Sequence, residues 1–290
     1  VLLEVSVETS AEAAEAAAAQ LLDLAPGYVE QRQEDRVRLV AWLPSDEVSR
    51  RCAEELQLRL RGLAAYGLDP GPGRVHVREV PGQTWETAWK RHFRPFRVGP
   101  FLVRPPWARP AAAPGVVALV VNPGMAFGTG LHESTRLCLR ALPDLVRPGA
   151  RVFDIGTGSG ILAVAAAKLG ARVVAVDCDR LACDVARANV RANRVSARVQ
   201  VRRGDLFSPV RGRADVVLMN ITADVLVRAA PSVPRHLRPG GAWVASGVVA
   251  SDVGRVLEAA EACGLRPERV IQEGEWRAAV LRAVGAELSR

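Results

Sequence analysis

Residues 152–162, Val-Phe-Asp-Ile-Gly-Thr-Gly-Ser-Gly-Ile-Leu, read as an apolar strand that runs into alternate glycines and reopens as an apolar helix. A strand, a glycine turn and a helix in that order commit this stretch to a βα unit with a ligand loop at the strand's carboxyl end. Gly156, Gly158 and Gly160 admit positive φ and open backbone N–H groups to a nucleotide-like ligand that a Cβ would hold off. The spacing is G-x-G-x-G. A dinucleotide fingerprint needs glycine at 161, where this chain has Ile161, so a nicotinamide dehydrogenase is disfavoured.

The surrounding pattern extends the unit into a sheet. Strands are expected at 151–155, 172–177, 198–202, 214–219, 241–248, 267–273 and 276–284, with helices at 160–169, 179–193, 222–237 and 251–263 between them. Such alternation predicts an α/β fold, a doubly wound and mostly parallel seven-stranded sheet whose last two strands form an antiparallel edge hairpin. Upstream lie a strand near 116–121 and a helix from His132 to Leu145. Residues 1–80 read differently, in the order βαββαβ of a small ferredoxin-like α+β domain. Their second helix is expected to be capped by Ser45, with Asp46 and Glu47 in its first turn. Between the two, 81–114 reads as a connector: a short Trp-bearing helix at Thr84 to His92, then six prolines from Pro95 to Pro114. The expected domains are therefore 1–80 for recognition and 115–290 for chemistry.

Composition narrows the classes. The five cysteines, Cys52, Cys138, Cys178, Cys183 and Cys263, show no metal-ligand or redox spacing, which points to reduced thiols, mostly in the core, of a cytoplasmic protein without a bound metal. No apolar run approaches a membrane span. The net charge of +8 comes from 39 basic residues of which only Lys90 and Lys168 are lysine, an arginine bias that weakens any inference of nucleic-acid binding. Residues 1–80 carry 14 acids against 9 arginines, whereas 81–290 carry 17 acids against 30 bases. An acidic front half suits a basic partner, and an ordinary solvated surface equally.

In open α/β sheets the ligand sits outside the carboxyl ends of the strands. Asp177 closes the second strand, placed to accept hydrogen bonds from ribose hydroxyls; capping the next helix is the alternative, which Asp179 would serve better. Asp205 follows the third strand, where it either meets an adenine amino group or shapes a turn. Asn220 ends the fourth and offers both donors and an acceptor, with helix capping as the compatible alternative.

Gly156 to Gly160, Asp177 and Asn220 together resemble class I S-adenosylmethionine-dependent methyltransferases. The segment Asn122-Pro-Gly-Met-Ala-Phe-Gly-Thr-Gly-Leu-His-Glu-Ser-Thr135 resembles the signature loop of the bacterial methyltransferases of large-subunit ribosomal protein eleven. Trp85 and Trp89, His92-Phe93 and the tail Glu273-Gly-Glu-Trp276 follow in that family's order, while Leu131 and Ser134 depart from its usual residues. The resemblance implies that Thr135, Gly156, Asp177 and Asn220 contact S-adenosylmethionine. Gly158, Gly160 and Asp205 complete that set, and Phe127 and Gly128 belong to a loop able to fold over the methionine end.

It also implies methyl transfer to amines of a basic ribosomal protein by a monomeric enzyme that needs no nucleic acid and no membrane. Deprotonating a lysine costs roughly 4 kcal/mol near neutral pH, an α-amine far less. Entry into a desolvated pocket beside a sulfonium charge depresses the amine pKa, and Asn220, through its side-chain carbonyl, is the candidate to orient it. His132 is a candidate proton acceptor, with a structural role at the helix start as the favoured reading. The alternatives are lysines of a different protein, or a non-catalytic module that binds S-adenosylmethionine. Glutamine and nucleobase methylation are disfavoured, because the fourth strand ends in Asn220-Ile-Thr-Ala where those enzymes carry Asn/Asp-Pro-Pro-Tyr/Phe.

Overall fold

The computed structural model describes residues 2–22, 24, 25, 28–33, 36–80, 95–108, 114–121 and 132–283. The chain forms two compact units, Val1–Arg94 and Pro95–Arg290.

In the first unit, β1 (Leu2–Ser10), α1 (Ala14–Leu22), β2 (Tyr28–Gln33), β3 (Arg36–Pro44), α2 (Glu47–Gly62) and β4 (Arg74–Val80) build an antiparallel sheet in the order β2-β3-β1-β4. Leu3, Val5 and Val7 alternate onto one face and stand opposite Leu43, Ala41 and Leu39 of β3. Helix α1 covers them with Ala14, Ala17, Ala18 and Leu21, and α2 with Ala53, Leu56 and Leu60, at helical spacing. Each fully buried leucine contributes roughly 1.5–3 kcal/mol relative to an exposed one. The cap of α2 is Asp46, which accepts from Ser49 N at 2.8 Å; the expected cap, Ser45, instead turns its hydroxyl to Glu79. The carboxylate one residue later reaches the orphan N–H groups of the first turn, and it adds a charge that the helix dipole favours.

In the second unit, β5 (Phe96–Val98), β6 (Phe101–Arg104) and β7 (Val117–Val120) form a three-stranded sheet within the proline-rich stretch. Its prolines fall outside the strands, where the missing N–H removes no ladder bond. The expected Trp-bearing helix lies outside the described residues.

The main sheet follows α3 (Glu133–Leu145). It contains β8 (Arg151–Ile155), β9 (Arg172–Asp177), β10 (Val199–Arg203), β11 (Ala214–Asn220), β12 (Leu237–Val249), β13 (Leu265–Glu273) and β14 (Trp276–Ala283), in the order β10-β9-β8-β11-β12-β14-β13. The ladders β10-β9-β8-β11-β12 are parallel, and β14 runs antiparallel to both its neighbours. Connecting helices are α4 (Ile161–Lys168), α5 (Arg180–Ala192), α6 (Ala223–Ala229), α7 (Val233–His236) and α8 (Val253–Glu261).

Both sheet faces are covered. Val152, Val216 and Leu218 share one apolar cluster with residues of α3, α4 and α5, while Phe153, Ile155, Val217 and Met219 share another with α6 and α8. Adjacent strand residues thus feed opposite cores, which explains the near-continuous apolar strands. The helix expected over 222–237 is broken into α6, a 3₁₀ turn at Ala230–Ser232 and the short α7, because Pro231 and Pro234 remove the N–H donors a continuous helix needs. Of the five free cysteines, Cys138 and Cys183 are buried, Cys52 and Cys263 half-buried and Cys178 exposed. Burial pushes the Cys138 thiol up to about 12, so it behaves as an inert apolar group.

Candidate functional site

Strand order reverses between β8 and β11, so the crevice above their carboxyl ends is where an α/β sheet places a ligand. The glycine turn leaves β8 there with φ of +74°, +52° and +79° at Gly156, Gly158 and Gly160. Its amides are used internally. Gly156 N and Thr157 N both donate to Val176 O, Gly160 N donates to Thr157 O, and Gly158 N donates to the Asp177 carboxylate at 2.8 Å.

Two of the glycines are needed for packing. A Cβ on Gly156 would stand 2.5 Å from Ile221 Cγ2, and one on Gly160 would stand 3.0 Å from the Ala186 Cβ of α5. The expectation that Gly156 and Gly160 expose N–H groups to the ligand is therefore corrected. They let the β11–α6 connection and α5 close against the turn, and both amides are already taken. A phosphate cradle wants free amides, which this turn does not offer at these positions.

Beneath the turn lies Asp154, which the sequence reading did not single out. Its carboxylate accepts from Thr157 Oγ1 at 2.6 Å and from Ala163 N at 3.0 Å, and it is 1% exposed. Gly160, the residue before α4, has no side chain to cap it, so Asp154 satisfies one of the orphan amides from below. Burial, partly offset by these bonds, raises its pKa to about 6. The available signal was a carboxylate inside an otherwise apolar strand, two residues ahead of the first glycine.

Asp177 stands at the end of β9, half-buried, with Oδ2 on Gly158 N and Oδ1 on Asp179 N at 3.0 Å. Capping of α5 is done by Asp179, which accepts from Leu181 N. Asp177 is thus held rigidly by two amides, and each oxygen keeps a lone pair for a further donor such as a ribose hydroxyl. Asp205, after β10, is 71% exposed, and Arg228 lies 3.8 Å from Oδ1, a weak competitor for any amino group of a ligand.

Asn220 and Thr135 come together from residues 85 apart. Asn220 Nδ2 donates to Thr135 Oγ1 at 3.1 Å, while Asn220 Oδ1 is buried and has no partner among the described residues. The following helix begins after Thr222, so the Asn220 amide does not cap it. Thr135 lies in the first turn of α3, buried, and the cap of that turn is His132, whose ring nitrogen accepts from Ser134 N. The His132 ring also meets Trp276 edge-on at 4.3 Å, which supports its structural reading. Phe127 and Gly128 lie outside the described residues.

The arrangement fits an adenosine-bearing sulfonium cofactor. It has a carboxylate held by two amides, a threonine hydroxyl bonded to an amide, and a buried carbonyl without a partner among the described residues. A groove of about 440 Å³ lined by Arg151, Arg172, Arg198 and Arg238 opens beside the opposite, amino-terminal ends of β8 and β9 and contains none of these groups. Among the described residues no cluster of His, Cys, Asp and Glu is placed to hold a metal ion, and no helix is long and apolar enough to cross a membrane.

Comparison with known proteins identifies the family. The family described as Ribosomal protein L11 methyltransferase matches over residues 2–283. A protein of that name from Pelotomaculum thermopropionicum is 46% identical over 248 residues, 84% of this chain and 79% of its own length. Another, from Caldanaerobacter subterraneus subsp. tengcongensis, is 38% identical over 284 residues, 89% and 92% of the two chains. The solved structure of a ribosomal protein L11 methylase from Lactobacillus delbrueckii subsp. bulgaricus superposes with a TM-score of 0.61 at 26% identity, covering 64% of this chain and 96% of that one.

Proposed function

Because the chain belongs to the ribosomal protein L11 methyltransferase family, we propose that it transfers methyl groups from S-adenosylmethionine to amino groups of ribosomal protein L11, on lysine side chains and the N-terminal α-amine. The observation that carries the site reading is Asn220 Oδ1, buried at the end of β11 beside Thr135 and without a partner among the described residues. An orphaned buried acceptor is costly, and an amine N–H would satisfy it.

When bound, S-adenosylmethionine supplies a methyl group made electrophilic by its sulfonium charge. The chain's own residues do the positioning. Asp177 accepts from the ribose hydroxyls, Thr135 offers its hydroxyl proton to the methionine carboxylate, and Asn220 Oδ1 accepts one N–H of the incoming amine, leaving its lone pair free. A lysine reaches this state by losing its proton as it leaves water, since desolvation and a neighbouring positive charge both lower an amine's pKa. The first unit, without a catalytic constellation of its own, serves recognition, and the enzyme acts as a monomer in the cytoplasm without nucleic acid.

Incubation with S-adenosylmethionine and unmethylated ribosomal proteins, followed by mass spectrometry, tests the substrate. Methyl groups confined to some other protein would overturn the assignment. Cofactor binding without any methyl transfer would favour a non-catalytic binding module.

A further inference from the structure

The tail Glu273-Gly-Glu-Trp276 has no part in the mechanism above, yet the structure brings it to the helix that presents Thr135. It spans the two-residue turn Gly274-Glu275 of the β13–β14 hairpin, with Glu273 paired to Trp276 and Gly274 at φ +54°. The Glu273 carboxylate, 15% exposed, makes a close ion pair with Arg136, and Arg140 Nη2 lies 2.8 Å from Oε2 as a charge contact without hydrogen-bond alignment. Trp276 meets the ring of His132, the cap of α3, edge-on. A third contact comes from the sheet, where Ser246 Oγ of β12 donates to Ser134 O at 3.1 Å.

Left to itself, the start of α3 is weak. Its cap is a histidine where serine, threonine, aspartate or asparagine would serve better, and Ser134 and Thr135 in its first turn are poor helix formers. Glu133 in the same turn suits the helix dipole, but Arg136 adds a positive charge near its positive end, which opposes it. Glu273 offsets that charge from outside the helix. Trp276 holds the ring whose nitrogen caps the turn. Both contacts flank Thr135, the residue whose hydroxyl must meet the Asn220 amide.

We propose that Glu273 and Trp276 are positioning residues, and that the β13–β14 turn clamps the first turn of α3 so that Thr135 and Asn220 are pre-set for the cofactor. This rests on reading Thr135 as a cofactor contact. Removing the Glu273 charge takes away the partner that Arg136 and Arg140 share from outside the helix; the turn loosens and Thr135 shifts, and losing its hydrogen bond to a charged group weakens binding about tenfold to a hundredfold.

The experiment is calorimetry of S-adenosylmethionine with the full chain carrying Glu273→Gln, Thr135→Val or both, with Arg140→Gln as a milder variant that keeps the Arg136 pair. Expected are affinity losses on the order of tenfold to a hundredfold for Glu273→Gln and for Thr135→Val, a smaller loss for Arg140→Gln, and no further loss in the double variant. A double variant whose losses multiply overturns the proposal, because the two residues then act separately. So does wild-type affinity in both Glu273→Gln and Arg140→Gln while Thr135→Val weakens binding; the site reading then stands and the clamp fails. Unchanged affinity in Thr135→Val overturns both. If Glu273→Gln does not fold, Trp276→Leu crossed with Thr135→Val is judged by the same rule.

Discussion

Asp154 is 1% exposed, and its carboxylate accepts from two donors, the Thr157 hydroxyl and the Ala163 amide. Burial raises its pKa from 3.8 to about 6, so the folded protein binds this proton more tightly than the unfolded chain. The contribution to stability is greatest below about pH 4 and declines as pH rises through about 6, by up to about 3 kcal/mol. Asp154→Asn removes the titration. In urea unfolding, wild type relative to this variant is expected to lose ground between pH 4 and pH 7, and a pH-independent difference would show that Asp154 does not titrate in this range. Asp177 is the contrasting carboxylate, half-exposed and held by two amides. Asp177→Ala is expected to weaken S-adenosylmethionine about tenfold or more, since a lost hydrogen bond to a charged group removes roughly 1.5–3 kcal/mol, and it also frees the Gly158 amide. Unchanged affinity by calorimetry would remove the ribose role.

Among the elements, the glycine turn and the β11–α6 connection are fitted to one another. Gly156→Ala places a methyl 2.5 Å from Ile221 Cγ2 at a φ of +74°, combining overpacking, about 1–3 kcal/mol, with a left-handed residue that costs roughly 1–2 kcal/mol more. Ile221→Ala removes the clashing group, so thermal unfolding of the double variant should show less destabilisation than the two single losses added; strict additivity would mean that the contact is not the cause. The strands were legible from sequence, since each apolar run in the main sheet is flanked by turn residues and alternates with helical spacing. The caps and breaks were less so. Asp46 displaces Ser45 because a cap is chosen by which oxygen reaches a free amide, a matter of one residue in chain direction. The helix expected at 222–237 fails at Pro231 and Pro234, where apolar periodicity outweighed the missing N–H donors in the reading. The strand-end positions of Asp177 and Asn220 were legible because the ends of apolar runs are visible in sequence. Asp154, Ser246 and the Arg136–Glu273 pair were missed, because their roles depend on which buried donors lack an acceptor and on contacts more than 100 residues apart for Ser246 and Glu273.

At the scale of the molecule, the two compact units have separate apolar cores. One is centred on Leu3, Val5, Leu39 and Leu56; the other two flank the seven-stranded sheet. Among the described residues each cluster is built from residues of its own unit, as expected of domains with their own interiors. Every proposed cofactor contact, from Thr135 to Asn220, belongs to the second unit, while the excess of acids, 14 against 9 arginines in residues 1–80, belongs to the first. Removing residues 1–80 is therefore expected to leave S-adenosylmethionine affinity unchanged by calorimetry and to abolish methyl transfer to the intact protein substrate. The full chain should also lose kcat/KM on that substrate as salt rises, because exposed charges steer encounter only within a screening length of about 10 Å at 0.1 M salt. A truncated enzyme with full activity on intact substrate would place recognition in the catalytic unit. A salt-independent rate in the full chain would leave shape and not charge as the basis of recognition by the first unit.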